Sequence, residues 1–231
     1  MRKLGKRLVV LVVAIVSIQL DLFAQGVTIT PDPVGLGVVG KMYSGATGSP
    51  YLYNDWTNGT VTLKDGTTYQ GLNLLYDQQK DELIFSIDKN RMQTFMHPVH
   101  EFILQVANGS GAAYTEKKFR NGFASVDGAN GNSFYEVLAE GKVQLLKRTT
   151  KTIVEERAPG ATIATKQIKP TMRYYMTTPT GFVKIRKDKK EILAVLKDKS
   201  TEIAKFAENN NLSFKEDEDL AKLVTYYNSL N

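Results

Sequence analysis

The stretch GTVTLKDGTTYQGLNLLY, which runs from Gly59 to Tyr76, decides the fold of this chain. Val61 and Leu63 alternate with polar residues, and a similar alternation resumes after Asp65 and Gly66. An apolar residue at every second position is typical of a strand with one face in the core. An Asp-Gly pair allows a tight turn, because glycine adopts a positive φ without steric cost. The stretch therefore predicts a β-hairpin.

Segments with the same strand-like pattern fill the rest of the chain up to residue 187. They are Glu82–Ile87, Arg91–Phe95, His100–Val106, Tyr114–Phe119, Phe134–Leu138, Lys142–Thr152, Thr171–Thr177 and Gly181–Arg186. No helical segment separates them, so the long crossovers that a parallel sheet needs are missing. We predict an α+β, mainly β protein. In it, residues 50–187 form an antiparallel β-meander, either an open curved sheet or a barrel.

Residues 188–231 change to a helical pattern. Apolar residues recur three and four positions apart, which places them on one side of a helix. The predicted stripes are Ile192, Leu193 and Leu196, then Ile203, Phe206 and Ala207, then Leu220, Leu223, Val224 and Tyr227. Ser213 and Glu216 have the spacing of a capping box, which predicts a helix from about residue 215 to 229. Helices this short are unstable alone, so we expect them to pack on the β domain.

The first 24 residues predict a signal peptide. A basic start with four Lys and Arg residues precedes the apolar run Leu8–Ile18, and Ala24 suits cleavage before Gln25. The run is shorter than the roughly 20 residues that span a bilayer. An uncleaved anchor helix is the alternative. We therefore predict an exported protein of the periplasm or cell envelope, or a secreted one, with no transmembrane span in the mature chain. The chain has no cysteine, so neither disulfides nor a lipidated cysteine can form.

Residues 25–49 form a Gly- and Pro-rich arm with little apolar periodicity. Gly35, Gly37 and Gly40 match the spacing G-x-G-x-x-G, which in dinucleotide-binding proteins opens a helix at the pyrophosphate. The residues that follow, Tyr43–Pro50, are rich in Gly and Ser and cannot form that helix. We predict a mostly irregular arm, with one short strand at most, and no cofactor.

The composition excludes collagen-like, low-complexity and disulfide-framework proteins. The chain has 231 residues, 42% hydrophobic and 23% charged, which is typical of a globular protein. Its formal net charge of +6 falls to +3 without residues 1–24. Residues 142–190 alone hold 13 basic and 3 acidic side chains. The positive charge of this segment is either compensated by the acidic flanks in the folded protein, or it binds an anionic partner.

No catalytic or metal-binding constellation is present in the sequence. The pattern G-x-S-x-G is missing, and the two histidines, His97 and His100, are fewer than the three or four ligands that zinc usually takes. Two sets of residues remain as candidates for interaction. The aromatic set is Trp56, Tyr51, Tyr53 and Tyr69, and the basic set is Lys184, Arg186, Lys187, Lys189 and Lys190. Each set is also explained by packing or by a solvated junction.

Several stretches resemble exported proteins of unknown function from Bacteroidota. They are Pro50–Leu83, FYEVLAEGKVQLLKR at Phe134–Arg148, the pair Tyr174 and Tyr175, and LVTYYNSL at Leu223–Leu230. The ending Phe23-Ala24-Gln25 is similar to the cleavage region of that group. The resemblance implies an envelope location and brings no catalytic residues.

Together these features predict a non-enzymatic envelope protein with a structural or interaction role. The alternative is a carrier or sensor of an apolar ligand, which would use the concave face of the meander with the helices as a lid. An enzyme is a third hypothesis, without a motif to support it. An envelope protein and an anionic surface are the candidate partners. Nucleic acid is not expected, because the protein is predicted to be exported and has no recognition motif.

Overall fold

The computed structural model describes residues 33–37, 43, 45–87, 91–108, 113–157 and 163–230. The predicted signal peptide, residues 1–24, lies outside these ranges, as does much of the predicted arm. Within the described ranges, no helix combines the length and apolar character needed to cross a membrane.

The described chain forms one large sheet followed by short helices. The strands are β1 (Gly35–Gly37), β2 (Ala46–Thr47), β3 (Thr57–Leu63), β4 (Thr68–Asp77), β5 (Glu82–Ser86), β6 (Gln93–Phe95), β7 (Val99–Asn108), β8 (Ala113–Arg120), β9 (Tyr135–Ala139), β10 (Gln144–Glu156), β11 (Thr165–Thr178) and β12 (Gly181–Ile185). The helices are α1 (Lys189–Val195), α2 (Ser200–Asn209) and α3 (Asp217–Ser229), with a 3₁₀ turn at Lys197–Lys199 between the first two.

The order of strands across the sheet is β1-β6-β5-β4-β3-β7-β8-β9-β10-β11-β12. Strands β3 to β6 build outward in one direction, and β7 to β12 continue from the other side of β3 in chain order. The remaining strand, β2, pairs with β11 and is parallel to it. The predicted fold class is therefore confirmed, and the described strands form an open sheet rather than a barrel.

The hairpin predicted from the opening stretch is present as β3 and β4. Gly66 has a φ of +90°, as the turn requires. The Asp65 carboxylate accepts a hydrogen bond of 2.9 Å from the backbone N–H of Thr67. The alternating residues Val61 and Leu63 are buried in the core. Local turn chemistry and burial of one face therefore select the same register.

Strands β10 and β11 form a hairpin longer than the sequence pattern predicts. β11 begins at Thr165, six residues before the predicted start at Thr171. Pro170 lies within it, opposite Lys151. Proline is tolerated there because β12 pairs only with Tyr174–Thr178 and leaves this stretch without a β12 neighbour. The predicted arm likewise contains two short strands, β1 and β2, where one at most was expected.

An aromatic core fills the concave side of strands β3 to β8. The rings of Tyr76 on β4 and Phe119 on β8 have centroids 5.3 Å apart, although β3 and β7 lie between their strands. Adjacent strands are about 4.8 Å apart, so the two rings can meet only if the sheet curls around them. Phe102 stacks on Phe119 at 4.8 Å, and Phe134 packs edge-on to Phe102 at 5.1 Å.

The helices cover the sheet at its other end. Leu145, Tyr174 and Met176 on β10 and β11 pack with buried residues of all three helices. The predicted stripe of α3 is confirmed as buried: Leu220, Leu223, Val224 and Tyr227 are 5% exposed or less. The neighbouring strand residues Leu146 and Tyr175 point to the opposite face, where Tyr135 and Ala129 complete a third small core.

The predicted capping box at the start of α3 is wrong. The N-cap is Glu216, and no side chain caps it. The Ser213 hydroxyl accepts a hydrogen bond from the backbone N–H of Lys215, and the Asp219 carboxylate accepts one from the N–H of Ser213. The local spacing was right for a cap, but the first helical turn already supplies Asp217, Glu218 and Asp219 to its N-terminus.

We expect Leu223→Ala to lower the free energy of unfolding by about 2–5 kcal/mol, because Leu223 is fully buried and the change leaves a cavity. Lys222→Ala is the matched control, because that side chain is 60% exposed and its loss should cost less than about 0.5 kcal/mol. Urea denaturation of both variants measures the difference. Equal midpoints for Leu223→Ala and the unchanged protein would show that the helices are not integral to the fold.

Candidate interaction groove

A groove lies between strands β8 to β11 and the first turn of α3. It has a volume of about 770 Å³, and we call it the charged groove. Four adjacent strands line it, and among their residues are Lys117, Glu136, Lys147 and Tyr174, one from each strand. Glu136 lies directly opposite Lys147, and Lys147 lies directly opposite Tyr174, so the register places all three on one face. Asp217 of α3 lies above them.

Five side chains that line the groove form an unbroken series of ion pairs, which we call the lysine–carboxylate chain. Its members in order are Lys117, Glu136, Lys147, Asp217 and Lys187. The successive N–O distances are 2.9, 3.7, 2.7 and 2.8 Å. The Lys187 ammonium also lies 4.7 Å from the centroid of the Tyr174 ring, in cation–π geometry. The chain fastens the start of α3 to the sheet.

The pKa shifts of Asp217 and Lys147 keep these two members of the lysine–carboxylate chain charged. Burial raises the pKa of Asp217, but hydrogen bonds from Lys147 and Lys187 outweigh burial and hold the pKa below its ordinary value. Burial lowers the pKa of Lys147, but its hydrogen bond to Asp217 and the charges of Glu136 and Asp217 together outweigh burial, so the pKa is raised. A carboxylate and an ammonium that are both fixed in their charged forms are poorly suited to accept or donate a proton in catalysis.

The part of the groove outside this chain is mixed in character. Met172 is 55% exposed and lines the groove together with Leu138 and Ala221. Acidic residues from β8 and α3 complete the rim; they are Glu116, Glu216, Glu218 and Asp219. The groove therefore offers apolar contacts between charged groups, which is typical of an interaction site.

A second, smaller groove of about 290 Å³ includes His97. The Lys64 ammonium donates a hydrogen bond of 2.8 Å to Asn132 in its wall. The other histidine, His100, lies 3.4 Å from the Asn121 side chain, which in turn donates to the carbonyl of Val99. Across the described ranges, no group of three His, Asp or Glu side chains converges closely enough to hold a metal ion.

A polar junction that the sequence did not predict joins the β4–β5 turn to β10. Asp81 accepts hydrogen bonds from the Tyr76 hydroxyl at 2.6 Å and from the Arg148 guanidinium at 2.9 Å. Its φ is +60°, a strained value for a residue other than glycine. Beside it, the backbone N–H of Lys151 donates to the carbonyl of Gln78 at 3.0 Å.

The buried carboxylate of Asp77 completes this junction. Asp77 is 0% exposed and accepts hydrogen bonds from the Tyr43 hydroxyl and from the backbone N–H groups of Gln79 and Lys80. Its backbone forms a β-bridge with Tyr51. In the sequence, the only local feature that indicated this junction was an acidic turn between two predicted strands. Nothing in that pattern points to Arg148, which follows Asp81 by 67 positions.

The aromatic candidate set is not brought together as one platform. Tyr69 is buried in the aromatic core, and Tyr53 packs against that core. Tyr51 and Trp56 are half-buried, and Tyr51 contacts the ring of Tyr43 at 6.4 Å. The described ring contacts do not join any two of the four. Their candidate role in binding stays a prediction.

The basic candidate set is largely engaged by acidic side chains. Lys184 pairs with Asp127, Arg186 with Glu191, Lys187 with Asp217 and Lys189 with Glu208. Lys190 is exposed at the start of α1. Arg186 is 81% exposed and Lys189 is 54% exposed, so these pairs are surface pairs that salt screens. Most of the set thus has local counter-ions rather than a shared open face.

Comparison with known proteins identified no relative of this chain. No protein-family model, no curated protein and no solved structure matches the chain. The resemblance noted in the sequence implies membership in an exported Bacteroidota family, and this membership stays a prediction.

We expect Arg148→Ala to lower the free energy of unfolding by about 2–3 kcal/mol, because it leaves the Asp81 carboxylate without its counter-ion in a mostly buried place. The side chains of Arg148 and Asp81 are only 11% and 21% exposed. The matched control is Lys166→Ala, which removes the exposed pair with Glu155 on the same strand hairpin and should cost less than about 1 kcal/mol. Equal losses in denaturant titrations of the two variants would contradict the assignment.

The lowered pKa of Asp217 predicts a pH dependence of stability. A carboxyl whose folded pKa lies below its ordinary value of 3.8 stabilises the protein above that value, and the gain is lost as the pH falls through the folded pKa. We therefore expect the difference in unfolding free energy between the unchanged protein and Asp217→Asn to shrink as the pH falls from about 6 to about 2. Thermal melts across this range measure it. A difference that grows in acid would contradict the sign.

Proposed function

We propose that this chain is an exported, non-enzymatic envelope protein that acts through interaction with a partner. The observation that carries the proposal is the composition of the charged groove. Its partly buried ionisable groups are paired with one another in the lysine–carboxylate chain. The charged residues of its rim and its exposed Met172 stay accessible. A catalytic site needs a titratable group poised for proton transfer or attack, whereas an interaction site needs an accessible surface of mixed polarity.

The filled concave face supports an interaction role over the carrier alternative. A carrier of apolar ligands needs a cavity of several hundred Å³ with an apolar lining. The rings of Tyr76, Phe102, Phe119 and Phe134 occupy the inside of the curled sheet and contact one another. The larger described groove lies elsewhere, the smaller one borders this core at Phe134, and both carry charged residues in their walls.

The basic and apolar start of the chain supports export. The sequence is free of cysteine, which fits a protein that crosses an oxidising compartment without forming disulfides. The periplasm or the cell envelope is the location that we propose, with the family resemblance as a second argument for it.

Fractionation of cells that express the full chain tests this proposal. We expect the protein in the envelope fraction with Gln25 as its first residue by intact-mass analysis, because the predicted signal peptide ends at Ala24. Cross-linking in intact cells should trap it in a discrete complex of larger mass. Intact Met1 in the cytosol would contradict export. Monomer alone after cross-linking would contradict the interaction role.

A further inference from the structure

Carboxylates without counter-ions line the rim of the charged groove. Glu116 on β8 and Glu216 and Glu218 at the start of α3 are exposed, and none of them has an ion-pair partner within the described ranges. The groove as a whole holds six carboxylates and three lysines, a net charge of −3. Without residues 1–24 the sequence carries +3, so the groove has the opposite sign to the protein that contains it. Its field therefore attracts positive groups.

These carboxylates are spread out rather than focused on one point. In the described part of the chain, no three acidic or histidine side chains meet closely enough to hold a metal ion. They come from separate elements, with Glu116 on a strand and Glu218 on a helix. Their complement is thus a ligand with several positive charges placed apart from one another. A single small cation cannot satisfy them together.

The groove also offers an apolar surface between the charges. Met172 is 55% exposed, and Leu138 and Ala221 lie in the same groove. A methionine side chain is flexible and polarisable, so it adapts to apolar groups of different shapes. The lysines of the lysine–carboxylate chain are already paired, which leaves the rim carboxylates as the available charges.

We infer that the charged groove binds a short, extended peptide segment of a partner protein, in which lysine or arginine alternates with apolar residues. The inference rests on the proposed interaction function and names the chemistry of its partner. The basic side chains pair with Glu116, Glu216 and Glu218, and the apolar side chains pack on Met172 and its neighbours. Paired charges give such a contact its orientation and its association rate, and apolar burial adds affinity.

Fluorescence anisotropy with two synthetic peptides tests the inference. The probe is a labelled Lys-Ala-Leu-Lys-Ala-Leu-Lys peptide, and its control has Glu in place of each Lys. The protein is purified from the envelope fraction of cells that express the full chain. We expect the basic peptide to bind and the acidic one not to bind. The affinity should fall with added salt, because the rim charges are exposed.

Two charge-matched variants separate the groove from general electrostatics. Glu116→Gln with Glu218→Gln should weaken binding of the basic peptide about fivefold or more. Asp55→Asn with Glu202→Gln removes two exposed acids outside the groove and should change the affinity less than about twofold. Met172→Ala, which alters no charge, should weaken binding about threefold.

Several results would overturn the inference. They are an equal loss in the two double variants, tighter binding of the acidic peptide, and no binding of the basic peptide to the unchanged protein. All the replaced residues are exposed, and thermal melts verify that each variant is folded. Failure here leaves the location and the cross-linked complex of the envelope experiment intact, so it is distinguishable from failure of the proposed function.

Discussion

The ion pair between Asp81 and Arg148 is the contact on which the shape of this protein depends. In the order of the sheet, β4 and β10 are separated by β3, β7, β8 and β9, which corresponds to about 24 Å on a flat sheet. The Arg148 guanidinium nevertheless lies 2.9 Å from the Asp81 carboxylate. The sheet must curl for these strands to meet. The curl in turn encloses the aromatic core, so the polar junction and the apolar core stabilise the same curvature.

β10 connects this junction to the helices. Lys147 and Arg148 are neighbours in sequence and therefore point to opposite faces of the sheet. One binds Asp217 of α3, and the other binds Asp81 of the β4–β5 turn. A shift of one residue in the register of β10 would exchange the two faces and break both contacts at once. Leu145 and Leu146, which belong to two different cores, enforce the same register.

The sequence was sufficient to predict the elements, because their signals are local. The Asp65–Gly66 turn and the alternation around it lie within eighteen residues, and the α3 stripe lies within eight. The junction and the groove could not be predicted in this way. Lys147 and Asp217 are 70 positions apart, and their contact depends on how the sheet and the helix pack. The capping-box prediction was wrong for a local reason, because Asp219 rather than Glu216 accepts the backbone N–H of Ser213.

The ion pairs of the folded protein explain the uneven distribution of charge along the sequence. Residues 142–190 are strongly basic in sequence, yet six of their lysines and arginines pair with acids that lie outside the segment. These acids are Asp81, Asp127, Glu136, Glu191, Glu208 and Asp217. Partly buried pairs such as Lys147–Asp217 are screened little by salt, so their share of this compensation persists at physiological ionic strength. The acids that remain unmatched at the groove rim then give the field there its sign, which a count of charges along the sequence does not reveal.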